Sequence, residues 1–99
     1  MKISLNTKIK TLNDEVIKDE KDKPLTFAKI FINALMGGYE DEKNLNGNDK
    51  FIRYQLAQKI NRQKDKTAEL TLEEARLLKE VVGKGYGALI VGQVFEVLK

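Results

Sequence analysis

Gly83-Lys84-Gly85-Tyr86-Gly87 has the composition of a phosphate loop, in which glycines let backbone N–H groups approach an anion at a helix start and a lysine adds charge. The spacing departs from both known templates. Ile90 stands where a dinucleotide fingerprint would need its third glycine, and no Gly-Lys-Ser/Thr follows at Walker spacing. The segment therefore reads as a flexible elbow between two helices. Read as a calcium loop, Glu42, Asn44 and Asn46 take the first, third and fifth places and Gly47 the sixth. The twelfth, which should be a bidentate glutamate, is Arg53. A cation in the place of the strongest ligand leaves a solvated loop in which Asn48 or Asn46 caps the next helix.

The carboxylates Glu73-Glu74 and Glu40-Asp41-Glu42 could in principle exchange protons. Neither group has the apolar enclosure or positioned partner that would separate two pKa values. Glu73 and Glu74 are placed instead to meet a helix N-terminus. The chain contains no histidine and no cysteine, which removes the usual general base, the thiol nucleophile, the thiolate metal site and the familiar triads. The expectation is a protein that is not an enzyme and has no catalytic residue, metal or cofactor.

Two leads remain. Lys50, Arg53, Lys59, Arg62, Lys64 and Lys66 form a basic segment opposed within its bounds by Asp65. On a helix Lys59, Arg62 and Lys66 would share one side, with Lys50 and Arg53 on a neighbouring side, and clustered cations of this kind are what phosphates reward. The second lead is apolar. Ile32, Tyr39, Tyr86, Phe95 and Leu98 exceed what one small helical core requires, and surface of this kind is usually covered by another subunit or protein.

The elements that must carry these residues follow from periodicity. At 99 residues, 41% apolar and 33% charged, the chain is one globular domain able to bury a core without staples. Residues 1–23 form an irregular arm with a small hairpin, Lys8–Leu12 against Glu15–Lys18, turning at Asn13-Asp14. A first helix covers Thr26 to Met36, capped by Thr26, with Phe27, Ile30, Phe31, Ala34 and Leu35 on one face and Ile32 off it; Gly37-Gly38 ends it through a left-handed residue. A second runs from Asp49 to Gln63, with Ile52, Leu56 and Ile60 inward and Phe51 beside them. Thr71-Leu72-Glu73-Glu74 is a capping box that starts a third helix, with Leu70 as a staple onto Ala75 and Leu78, Val81 and Val82 inward; Gly83, Gly85 and Gly87 interrupt it. The run 86–98 is apolar nearly all round, broken by Gln93 and Glu96, so a helix here must be covered. No internal repeat, low-complexity tract or linker is read. The expected fold class is mainly α: a short N-terminal β-hairpin, then a compact four-helix arrangement with the last helix buried at its centre, in a single domain over 1–99.

The net charge of +3 is mild, and the excess lies in residues 51–99. No segment reaches the roughly 18 apolar residues of a membrane span, and the N-terminus has no signal-peptide run, which points to a cytoplasmic protein. Three stretches carry a likeness: Asp22-Lys23-Pro24-Leu25-Thr26 leading to Asn33-Ala34-Leu35; Glu40-Asp41-Glu42 through Gly47 to Arg53-Tyr54-Gln55-Leu56-Ala57; and Leu70-Thr71-Leu72-Glu73-Glu74-Ala75 through Gly83-Lys84-Gly85-Tyr86 to Val91-Gly92-Gln93. Over residues 12–98 the chain resembles short, generally uncharacterised proteins of tailed bacteriophages and prophages. The resemblance implies a phage origin and a bacterial cytoplasm, and supplies no functional residues. The expected function is that of a small accessory protein working through protein–protein contacts, as an assembly factor or a modulator of a host protein. It would self-associate through Ile32, Tyr39, Tyr86, Phe95 and Leu98. The alternative is nucleic-acid binding by Lys50, Arg53, Lys59, Arg62 and Lys66.

Overall fold

The computed structural model describes residues 1–39, 42 and 45–98. Its elements are β1 (Lys2–Ser4), α1 (Phe27–Met36), α2 (Gly47–Arg62), β2 (Thr67–Glu69), α3 (Leu72–Gly85) and α4 (Ala88–Val97). The fold is mainly helical, as the periodicity requires.

The helix starts follow the caps. Thr26 accepts from the Lys29 N–H, Asn46 from the Asp49 N–H, and Thr71 and Glu74 satisfy each other's backbone N–H groups in a capping box. α3 runs through Gly83 to Gly85, and the break expected across Gly83, Gly85 and Gly87 falls at Tyr86-Gly87. α1 ends at Gly37, but with φ −73° rather than a left-handed residue. Glycine is needed there for space: a Cβ would lie 3.0 Å from the Tyr39 hydroxyl.

The core centres on α1, not on α4. Phe27, Ala28, Ile30, Phe31, Ala34 and Leu35 are all buried, and α1 packs against both α2 and α3. α4 packs on α3 at the periphery and inserts one stripe, Val94 with Leu98, flanked by half-buried Ile90 and Val91. The expectation of a central last helix is thus corrected. α1 is apolar on the two sides facing α2 and α3, whereas α4 meets the core after those positions are filled and leaves Leu89, Phe95 and Val97 exposed.

The N-terminal arm differs from a simple hairpin. β1 pairs antiparallel with the distant β2, Ile3 opposite Ala68, a pairing that the short, polar Thr-Ala-Glu strand does not advertise. The expected hairpin survives as one bridge, Lys10 with Val16, inside a larger device. Three evenly spaced residues close a ring of backbone hydrogen bonds. The Ile9 N–H donates to the Leu25 carbonyl (2.8 Å), the Leu25 N–H to Ile17 (2.8 Å) and the Ile17 N–H to Ile9 (3.0 Å). The turns between them are built alike. Thr11 Oγ1 accepts from Asn13 and Glu15 N–H, and Asp19 Oδ1 from Lys21 and Lys23 N–H. Asp14 (φ 67°) and Asp22 (φ 61°) take the left-handed position in each. This is an internal repeat of eight residues, contrary to expectation: Ile9-Lys10 and Ile17-Lys18 match in type, as do Asp14 and Asp22, whereas Thr11 and Asp19 match only in role. Gln93 ties the arm to α4, its side-chain amide accepting from the Lys10 N–H (3.1 Å) and donating to the Lys10 carbonyl (2.9 Å).

Candidate interaction surface

The most buried polar cluster joins α2, α3 and the loop after α1. The Arg53 guanidinium, 6% exposed, grips the Glu42 carboxylate with both terminal nitrogens, Nη1 donating to Oε1 at 2.7 Å and Nη2 to Oε2. Lys84 Nζ donates to the same Oε2 at 2.6 Å. Arg53 first, then Lys84, hold the Glu42 carboxyl down to about 2, against the burial that would raise it. The guanidinium is correspondingly raised by Glu42. Tyr39 lies alongside, its hydroxyl donating to the Ala34 carbonyl at 2.7 Å, and burial pushes its pKa up. A Cβ at Gly85 would meet that hydroxyl at 3.0 Å, so glycine in the presumed elbow serves close packing. Among the described residues no buried side-chain polar atom lacks a partner, and the cluster clamps three elements together. Glu40, Asp41 and Asn44, which the acid–base and calcium readings involved, lie outside the described residues. Glu42 itself is spent on two cations.

The basic set does not form one face. Arg53 is inside the clamp. Lys59 turns toward α3, where Nζ donates to Glu74 at 2.9 and 3.2 Å. Burial disfavours ionisation of Glu74, but hydrogen bonds from Thr71 and Lys59 prevail and hold its pKa down. Lys50, Arg62 and Lys66 are exposed, the last in the turn before β2. The reading that put Arg53 and Lys59 on phosphates is therefore corrected: both cations have carboxylate partners within the fold.

The proposed apolar contacts also disperse. Leu98 is 1% exposed and belongs to the core, which removes it from any interface. Tyr39 is packed against Gly37 and Gly85. Phe95 stays 38% exposed on α4, with Lys79 Nζ 5.8 Å from its ring centroid. Ile32 and Tyr86 are half-buried and line one cleft beside the arm.

Sequence reasoning missed the outer face of α2. Phe51 (54% exposed) and Tyr54 (46%) stack in solvent, ring centroids 6.4 Å apart, and Gln58 Nε2 donates to the Tyr54 hydroxyl at 3.1 Å. Phe51 was expected beside the buried stripe. At about 100° per residue it lies opposite Ile60, a signal that was present in the spacing. Ile52 is exposed for a related reason. Each four-residue step drifts about 40° around the helix, so Ile52 stands well off the Ile60 direction. Met36, which lines a cleft together with Tyr54, adds exposed apolar surface beside this region.

Among the described residues no helix is long and apolar enough to cross a membrane. No protein-family model matches the chain, and no curated protein or solved structure matches it either.

Proposed function

We propose that this chain is a small, non-enzymatic accessory protein, of the phage kind its sequence resembles, that works through protein–protein contacts and self-associates along the outer face of α2. One observation carries the reading: two aromatic rings stacked in water on the helix side away from the core. Exposed aromatic pairs contribute little to the fold they sit on, and Tyr, Phe and Arg are the residues enriched at interface centres.

The face is self-complementary. Phe51, Tyr54, Gln55, Gln58 and Arg62 follow one another along it with no carboxylate among them. An antiparallel pair of α2 helices brings Phe51 of one copy to Arg62 of the other, and Tyr54 to the Gln58 region, about a two-fold axis. Opposed helix dipoles favour the same arrangement. Light scattering after gel filtration, over rising protein concentration, tests this. The wild type should exceed its 11.3 kDa monomer mass, and the Phe51→Ala/Tyr54→Ala variant should return to it. A strict monomer at all concentrations overturns the proposal.

The second reading, nucleic-acid binding, draws on the same rings. Lys50 and Arg62 flank them, exposed and without an ion partner among the described residues, as on platforms where bases stack beside cations. Gel shifts in rising salt separate the two readings, since phosphate contacts weaken steeply with salt.

A further inference from the structure

On another side of the molecule two clefts, of about 550 and about 780 Å³, share Lys23, Lys29 and Ile32 as walls, and so adjoin along a trough between the arm and α1. Its floor is apolar: Pro24, Ala28 and Ile32 in the first cleft, Leu25 and Tyr86 in the second. Its rim is lysine. Lys29 is committed inward, Nζ donating to Asp19 at 2.7 Å and to the Pro24 carbonyl at 3.0 Å. That ion pair neutralises the principal carboxylate of the wall, and Lys29 first among its causes draws the Asp19 carboxyl down to about 2. Lys8, Lys21, Lys23 and Lys64 are exposed and make no ion pair among the described residues, leaving Glu20 and Asp65 as the opposing charges.

We infer that this trough docks an extended acidic segment of a partner protein, its carboxylates meeting the lysine rim and an apolar side chain seated on Ile32. The charge of the rim selects an anionic occupant. The spread of its lysines over two adjoining clefts suits a chain rather than a single small anion. Tyr86 is the one aromatic residue among the described walls, so the successive stacking platforms of a single-strand binder are missing there. The ring of hydrogen bonds through Ile9, Ile17 and Leu25 holds the lysine-bearing turns in place before any partner arrives, which lowers the ordering cost of binding. This surface shares no residue with the outer face of α2, and the two stand or fall separately.

Fluorescence anisotropy of a labelled peptide of repeating Glu-Glu-Leu, titrated with the full chain, tests the inference. Saturable binding should weaken as salt rises from about 50 to about 200 mM. Lys23→Glu/Lys64→Glu should weaken it by about tenfold or more, and Ile32→Ser should weaken it without changing the salt dependence. Phe51→Ala/Tyr54→Ala should bind as the wild type does. The inference fails if the lysine reversal binds the peptide as tightly as the wild type, or if no saturable binding is seen at low salt. It also fails if labelled oligothymidine binds more tightly than the peptide with the same lysine dependence.

Discussion

Replacing Glu42 by glutamine tests the clamp between α2, α3 and the preceding loop. The substitution keeps the side-chain size and one acceptor oxygen but removes the charge that Arg53 and Lys84 share. Arg53, 6% exposed, is then a buried cation that has lost its carboxylate partner among the described residues. Breaking a buried pair from one side costs about 3–5 kcal/mol. The proton linkage gives a similar size. Glu42 falls from its ordinary 4.5 to about 2 in the fold, which at about 1.36 kcal/mol per unit corresponds to about 3 kcal/mol. The lower figure suits a site where Lys84 keeps some access to water. For a domain of this length that loss lowers Tm by more than about 10 °C. Because the folded pKa is depressed, the contribution is complete above pH 4.5 and disappears as pH falls from there toward 2. Urea unfolding followed by far-UV circular dichroism, at several pH values, should therefore show a gap between wild type and Glu42→Gln that closes on acidification. A Glu42→Leu/Arg53→Met pair, free of the stranded charge, should lie within about 1 kcal/mol of wild type. A single variant within about 0.5 kcal/mol of wild type at neutral pH, or a gap unchanged down to pH 2, refutes the reasoning.

The remaining predictions concern the arm and α4. Gln93→Ala should cost about 1 kcal/mol and speed amide exchange at Lys10, whose backbone it bonds on both sides; unchanged exchange there would disconnect α4 from the arm. Asp14 occupies a left-handed position at φ 67°, so Asp14→Ala should be less stable than Asp14→Gly by about 1 kcal/mol in thermal melts. Val94→Ala should cost about 2 kcal/mol and Val97→Ala less than about 0.5, since the first is buried and the second exposed. Equal costs would contradict the placement of α4. Phe51→Ala should likewise change stability by less than about 0.5 kcal/mol, in contrast to Phe31→Ala at about 3–5.

Much of this molecule is local and therefore readable along the chain. The caps at Thr26, Asn46 and Thr71 act within three residues, and the inward stripes of α1 and α3 repeat at helical spacing. Helix existence, order and the absence of histidine and thiol chemistry need nothing more. The face of a helix that meets the core is also written locally, and Phe51 shows how a four-residue habit misreads a period of about 3.6.

What tertiary structure alone decided was competition for the same volume and the same charges. Both α1 and α4 are apolar enough to be central. α1 takes the centre because it packs extensively against α2 and α3 at once, whereas α4 packs chiefly on α3 and is tied to the arm by Gln93. Arg53 and Lys59 are cations on a basic segment until the fold brings Glu42 and Glu74 to them, after which their charge is spent internally. β1 and β2 are too short to be recognised singly, and exist because chain closure places Ile3 opposite Ala68. In each case the outcome depends on a residue distant in sequence, whose proximity is a property of packing.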